Sequence, residues 1–217
     1  WETEGFLVSK RKFRENANII NVFTKSKGRV SGIVYGGNSR KIRNYLQLGN
    51  KIFLEYNAKS ENKIGYLKTE LIEPIAPKYF DDKKRASGLL SISGLLNSLL
   101  PESQNYDVLY EELDNLIKNY NTENWIIRFI LWEIMLIKQL GYGFDLSTNG
   151  TKSNHSNLMK IDGVNYKLPN FLVQDTEYKK ITDSDIRTGL TLTRNIYMNK
   201  FFLPNNLIFP KARIQLE

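Results

Sequence analysis

The sequence predicts two domains: an all-β barrel of five strands at the N-terminus, followed by an all-α helical domain. Three observations lead there. The first 75 residues contain five alternating or β-branched runs separated by polar turns. After Pro74-Ile-Ala-Pro77 the hydrophobic period changes from that of a strand to that of a helix. The charge divides in the same place: residues 1–80 carry 15 Lys+Arg against 7 Asp+Glu, whereas residues 81–217 carry 16 of each. The net charge of +8 therefore resides in the first third of the chain. We place the boundary between residues 1–78 and residues 79–217.

The first strand is expected at Trp1–Ser9, which alternates loosely and ends in the basic run Lys10-Arg11-Lys12-Phe13-Arg14. The second, Ile19–Thr24, is rich in β-branched residues, and the third, Arg29–Tyr35, follows a tight turn at Lys27-Gly28. Gly32 lies inside the third strand, where glycine permits the bend a small barrel needs. Leu48–Asn57 alternates well, with Ile52, Leu54 and Tyr56 on one face and Phe53 and Glu55 on the other. Ile64–Ile72 is the fifth strand, after a polar turn at Ser60–Lys63. Closing such strands into a barrel removes exposed edges.

Pro74–Pro77 reads as a linker, and helices are expected beyond it. Phe80–Leu100 is one, weakened by Gly88 and Gly94. Tyr106–Tyr120 sets Val108, Leu109, Leu113, Leu116 and Ile117 at helical spacing. Glu123–Leu140 begins after Thr122 as its cap and ends at Gly141-Tyr-Gly143; it is apolar almost all round and should be the buried centre of a bundle. Thr182–Phe202 opens on Thr-Asp-Ser-Asp and repeats Ile186, Leu190, Thr193, Ile196 and Tyr197 on one face. There is no internal repeat and no low-complexity tract.

Several function classes drop out. The chain has no cysteine, which excludes disulfides, thiolate metal sites and a cysteine nucleophile. Its longest apolar run, Trp125–Ile137, is interrupted by Arg128 and Glu133 and is too short and too charged to span a bilayer, so no membrane association is expected. Glu2 and Glu4 stand where a signal peptide would be basic. Asn149-Gly-Thr151 and Asn154-His-Ser156 match the glycosylation pattern by chance on this reading. The one histidine, His155, lies in a polar run and is expected to be solvated. There is no phosphate-binding loop of P-loop spacing and no carboxylate cluster. Asp183 and Asp185 read as helix N-terminal charge, and Arg128 and Glu133 as paired inside the bundle. We therefore expect no catalytic residues, no cofactor, no metal and no enzymatic activity.

The basic residues are different. We single out Lys10, Arg11, Lys12, Arg14, Lys27, Arg29, Arg40, Lys41 and Arg43, with Lys25 beside them, as a polyanion-binding set. They fall after strand one, between strands two and three, and after strand three, positions that can converge on one face of a small barrel. Phe13, Phe23, Tyr35 and Tyr45 accompany them; flat rings can stack on splayed bases while cations meet phosphates. Phe23 by itself reads as core.

The segments Glu4-Gly-Phe-Leu-Val-Ser-Lys-Arg11, Glu15-Asn16, Ile20-Asn-Val-Phe-Thr24, Gly28-Arg-Val-Ser-Gly-Ile-Val-Tyr-Gly-Gly37, Ser39-Arg-Lys41 and Leu46-Gln-Leu-Gly-Asn50 occur in one register that resembles the bacterial recombination mediator family RecO. Leu140-Gly-Tyr-Gly-Phe-Asp-Leu146 matches the same family, as does, more loosely, Phe201-Phe-Leu with Pro210-Lys-Ala-Arg213. The resemblance implies an oligonucleotide-binding (OB) barrel and a helical domain. It implies binding of single- and double-stranded DNA, annealing of complementary strands without ATP, and help in loading recombinase onto strands coated by single-strand binding protein. It implies RecR, RecA and the C-terminal tail of single-strand binding protein as partners, and a cytoplasmic, nucleoid-associated protein. The basic residues Arg29, Arg40, Lys41 and Arg43 match the family's basic barrel surface. Many members carry a four-cysteine zinc site after the Leu-Gly-Tyr-Gly motif, but Asp145–Pro169 has no cysteine, so no metal is expected there. A second reading makes the protein an adaptor, whose neutral helical domain recruits partners while DNA binding is secondary.

Overall fold

A computed structural model describes residues 1–58, 64–142, 157–161, 163–173 and 180–217. The turn Ser60–Lys63, the two glycosylation-like motifs, His155 and Phe144–Leu146 lie outside the described residues.

Five strands form a closed barrel: β1 (Glu2–Phe13), β2 (Ala17–Thr24), β3 (Gly28–Tyr35), β4 (Lys51–Asn57) and β5 (Gly65–Glu73), in the order β1-β2-β3-β5-β4, with β4 returning to β1. The first strand is longer than expected, because the basic run continues it instead of ending it. Lys10 to Phe13 pair in register with Ile20 to Ala17. Only Glu2–Phe6 of β1 pairs with β4, so the basic half is paired on one side only, to β2, which in turn pairs with β3. A register shift between Leu7 and Ser9 marks a bulge, which bends and twists the strand between its two roles.

Alternation places Leu7, Ile20, Val22, Val30, Val34, Ile52, Leu54 and Leu67 in one buried cluster inside the barrel. Parallel pairing of Gly32 with Gly65 and of Ile33 with Tyr66 closes β3 onto β5. Gly32 has a packing reason that the sequence did not show. Its job is close approach: a Cβ would sit 2.5 Å from the Leu67 side chain, and one on Gly65 would sit 2.4 Å from the Tyr56 ring.

Between β3 and β4 lies a helix that the sequence reading passed over, α1 (Arg40–Tyr45). At six residues it is too short to show a period. Ser39 caps it, accepting from the Ile42 amide, and Ile42 and Tyr45 pack on the barrel core. The Tyr45 hydroxyl donates to the Thr69 carbonyl at 2.6 Å. Five strands in this closed order, with a helix between the third and fourth, make the OB-fold.

Pro74–Pro77 is not a free linker. Ile75 is buried, the Ala76 amide donates to Asn50 Oδ1 at 2.8 Å, and Ala76–Tyr79 winds into a 3₁₀ turn. The helix α2 (Lys83–Leu99), capped by Asp82, follows and packs on β1. The compact unit that holds the barrel extends through Glu111 and takes in Phe209–Leu216, where the short helix α7 (Lys211–Ile214) packs on α2.

The second unit, Glu112–Ile208 with Glu217, is mainly helical. The helix α3 (Asp107–Lys118) leads into it, and α4 (Trp125–Gln139) and α6 (Asp183–Tyr197) pack together. Beyond α6 the chain continues through a π turn, Met198–Phe202. Thr122 does not cap α4: its hydroxyl donates to the Asn119 carbonyl at 2.7 Å, and Asn124 occupies the cap position. Glu133, fully buried on α4, accepts from the Thr193 hydroxyl at 2.6 Å, while the Tyr197 hydroxyl donates to its carbonyl. A hairpin, β6 (Leu158–Ile161) and β7 (Val164–Lys167), followed by the single turn α5 (Asn170–Val173), corrects the expectation of a purely helical second half. Strands of four residues carry too little pattern to be read in advance.

The start of α6 is a capping box. Asp185 accepts from the hydroxyl and amide of Thr182 and from the Asn170 amide, and Thr182 accepts in return from the Asp185 amide. The Thr182 hydroxyl, foremost among these donors, holds the Asp185 carboxyl below its ordinary value. A depressed folded pKa stabilises above the unfolded value, and that stabilisation is lost as pH falls through the folded one. Asp185→Ala is expected to cost about 1–2 kcal/mol at pH 7. The deficit should shrink in acid, once the carboxyl protonates in the parent as well. Urea unfolding of both proteins at pH 7 and in acid checks this.

Candidate nucleic-acid interface

The β2 and β3 strands run between two ends of the barrel, and register assigns each predicted cation to one of them. At one end the β1–β2 turn, Arg14–Asn16, meets Tyr35 at the close of β3; at the other the β2–β3 turn carries Lys25 and Lys27. Eight residues of β3 separate these ends by roughly 23 Å. The expected convergence of all the basic groups on one face is therefore corrected: the structure brings seven of them together and leaves Lys27 and Arg29 at the far end.

The far-end groups are engaged. Arg29 lies on β3 itself; its Nε donates to the Leu100 carbonyl at 2.8 Å, and its guanidinium pairs with Glu102. Lys25 pairs with Glu111 at 3.1 Å, and Lys27 stands over the Trp1 ring. Arg29 thus ties β3 to the chain beyond α2.

The seven at the near end are Lys10, Arg11, Lys12, Arg14, Arg40, Lys41 and Arg43. None forms an ion pair among the described residues, and all are exposed. Lys10 and Lys12 share one face of β1, the face of Ile20 and Asn18 across the pair. The Lys10 amine reaches the end of α1 and donates to the Leu46 carbonyl at 2.6 Å. Partial burial, helped by the nearby Arg43 charge, lowers the Lys10 pKa. Arg40, Lys41 and Arg43 continue the cationic track along α1.

Arg11 and Phe13 project from the opposite face of β1, which carries a second, smaller apolar cluster of Ala17, Ile19 and Ile33 with Phe13 and Tyr66 packed on it. Tyr35, exposed, lies against Tyr66 with ring centroids 5.3 Å apart, and the Arg14 guanidinium lies 5.2 Å from the Phe13 ring. Partial desolvation, then a hydrogen bond with Tyr66, raises the Tyr35 pKa. Arg14, Ala17, Tyr35 and Gly36 line a shallow pocket of about 350 Å³. Tyr66 was missed in the sequence, although alternation on the fifth strand already set it opposite Leu67. Two other aromatics lie elsewhere: Phe23 is buried against Tyr110, as core, and Tyr45 is taken up by Thr69.

An OB barrel with a cationic end and a neighbouring aromatic strip is the arrangement by which this fold binds oligonucleotides. Comparison with known proteins shows the family. The family model "Recombination protein O N terminal" matches residues 1–75, and "Recombination protein O C terminal" matches residues 81–157. The DNA repair protein RecO of Roseobacter denitrificans is 34% identical over 162 residues, covering 74% of this chain and 67% of that protein. The chain belongs to the RecO family. RecO proteins of Wolbachia pipientis wMel and of Caulobacter vibrioides NA1000 are 28% and 26% identical to it, over 98% and 100% of this chain and 97% and 95% of their own lengths. Membership assigns a role in DNA repair and recombination. The boundary between the two RecO family models falls at residues 75–81, whereas the compact unit around the barrel ends at Glu111. In this RecO chain, then, the family's sequence boundary and its packing boundary differ, because α2 packs on β1. Among the described residues, no group of three or more His, Asp or Glu is placed to hold a metal ion, and no helix is long and apolar enough to cross a membrane.

Proposed function

We propose that the chain is a DNA-binding recombination mediator without an active site. It binds single- and double-stranded DNA on the near end of the barrel and anneals complementary strands without ATP. The observation that carries this reading is the gathering of seven cations, free of ion pairs among the described residues, beside an aromatic strip. Annealing needs no bond chemistry: a cationic surface screens two repelling backbones and releases their counterions. Helping to load recombinase onto strands coated by single-strand binding protein follows from the same role. Its partners on this reading are RecA, RecR and the tail of single-strand binding protein, in the cytoplasm and at the nucleoid. The two domains of the proposal are residues 1–78 for DNA and residues 79–217 for the helical partner surface.

The test is binding of the full chain to an oligonucleotide across a salt series, with annealing followed by a fluorescent pair in the absence of ATP. The proposal expects a log–log slope of roughly −0.7 for each phosphate neutralised on single strands. A salt-independent affinity would overturn it. The aromatic strip adds a second expectation. Tyr35→Ala should weaken single-strand binding by about 1–3 kcal/mol, the usual value of one stacked base, and leave duplex affinity nearly unchanged. Equal losses on both substrates would remove stacking from the account.

An adaptor role is favoured by one observation in the second unit, the exposure of Leu203, Leu207 and Ile208 in succession along the chain. If this segment docks single-strand binding protein, Leu203→Ser with Ile208→Ser in the full chain abolishes its capture while DNA affinity is retained.

A further inference from the structure

One face of α6 is lined by polar groups that no packing role consumes. Arg187, Thr191, Asn195 and, one turn on, Asn199 follow one another at helical spacing, a stripe of hydroxyl, amide and guanidinium groups. Facing them across a groove of about 320 Å³ are Asn165 and Lys167 of β7. The groove lies within the second unit. Among the described residues no carboxylate lines it: Asp185, close by in sequence, is taken up by Thr182 and Asn170. Lys167 and Arg187 form no ion pair among the described residues, and the side chains of Asn165, Thr191 and Asn195 have no hydrogen-bond partner there. Asn199 is held in place, donating to the Tyr166 hydroxyl at 3.1 Å.

Two cations set among amides and a hydroxyl, with no acid among the described residues of the groove, suit a ligand that combines a phosphate with hydrogen-bonding edges. The volume is at the small end of ligand sites and fits one nucleotide unit. Lys167 and Arg187 supply charge-assisted bonds to phosphate oxygens, and the asparagines can donate to and accept from a base or sugar. We propose that the groove between β7 and α6 binds a nucleotide phosphate, as a site separate from the cationic end of the barrel. The phosphate can come from a free nucleotide or from one unit of a DNA strand.

The test uses the full chain carrying Arg40→Ala, Lys41→Ala and Arg43→Ala, so that failure of the barrel proposal does not disturb it. Calorimetric titration with thymidine 5′-monophosphate is expected to show saturable binding, and thymidine without phosphate should bind at least ten-fold more weakly. Adding Lys167→Ala with Arg187→Ala should weaken nucleotide binding about ten-fold or more. Asn195→Leu, which fills the groove without changing charge, should do the same if the site is the groove and not a diffuse positive surface. Displacement of the monophosphate by octathymidylate assigns the site to the DNA strand; failure to displace assigns it to a free nucleotide. Absence of monophosphate binding, or binding that survives both the double variant and Asn195→Leu, overturns the inference.

Discussion

Replacing Arg40, Lys41 and Arg43 together with alanine should weaken single-strand binding roughly fifty-fold at about 0.15 M salt and flatten the salt slope by about two, at −0.7 per lost contact. The three sit on a short exposed helix, so the barrel core is untouched. The loss should be even across sequences, since backbone contacts carry little sequence information. A control lies at the far end of β2 and β3. Lys25→Ala with Lys27→Ala removes two equal charges, but from groups already held by Glu111 and Trp1, roughly 23 Å away along the strands. It should change affinity less than two-fold. Fluorescence anisotropy over a salt series separates the two variants. Losses in proportion to the charge removed, three against two, would mean that net charge alone attracts DNA and that the near end is no site.

Gly28→Ala should cost about 4 kcal/mol, the largest effect expected from a single methyl group in this protein. Two causes add. Gly28 has φ +63°, a left-handed conformation that strains any L side chain, and a Cβ there would lie 1.8 Å from the Gln104 carbonyl oxygen. The obstacle is backbone, and it is held in place. The Ser103 amide donates to the Arg29 carbonyl at 2.9 Å, and the Ser31 hydroxyl donates to Glu102. Gly141→Ala isolates the first cause: its φ is +93°, but nothing lies within 4 Å of the added atom, so about 1–2 kcal/mol is expected. Urea unfolding of the two variants measures the difference. If Gly28→Ala proves no worse than Gly141→Ala, residues 102–104 give way and do not brace the β2–β3 turn.

The barrel was legible because its strands alternate. Ile52 and Leu54 on one face, and the β-branched run of the second strand, are what a half-buried sheet requires, and the structure places them in the core. The amphipathic helices and the helix start at Thr182 were readable for the same kind of reason, since start signals and the 3.6 period are local, whereas the capping box of Thr182 with Asp185 appeared only in the structure. What escaped was either too short or too charged to show a period. The six residues of α1 and the four-residue strands β6 and β7 are in the first group. The basic half of β1 is in the second: Lys10-Arg11-Lys12 looks like a strand end until its pairing with β2 is seen. The packing reason for Gly32 shows only when Leu67 is found where its Cβ would be.

By itself the chain's order of residues determined the class of fold, the excess of positive charge in the first third and the family, because these depend on composition and near-neighbour pattern. Which cations act together was decided only in three dimensions. Antiparallel pairing carries Lys27 and Arg29 to one end of the barrel and folds α1 back beside Lys10 at the other. Coulomb attraction falls off within about 10 Å in salt, so it is distance through space, and not adjacency along the chain, that makes a charge part of a site.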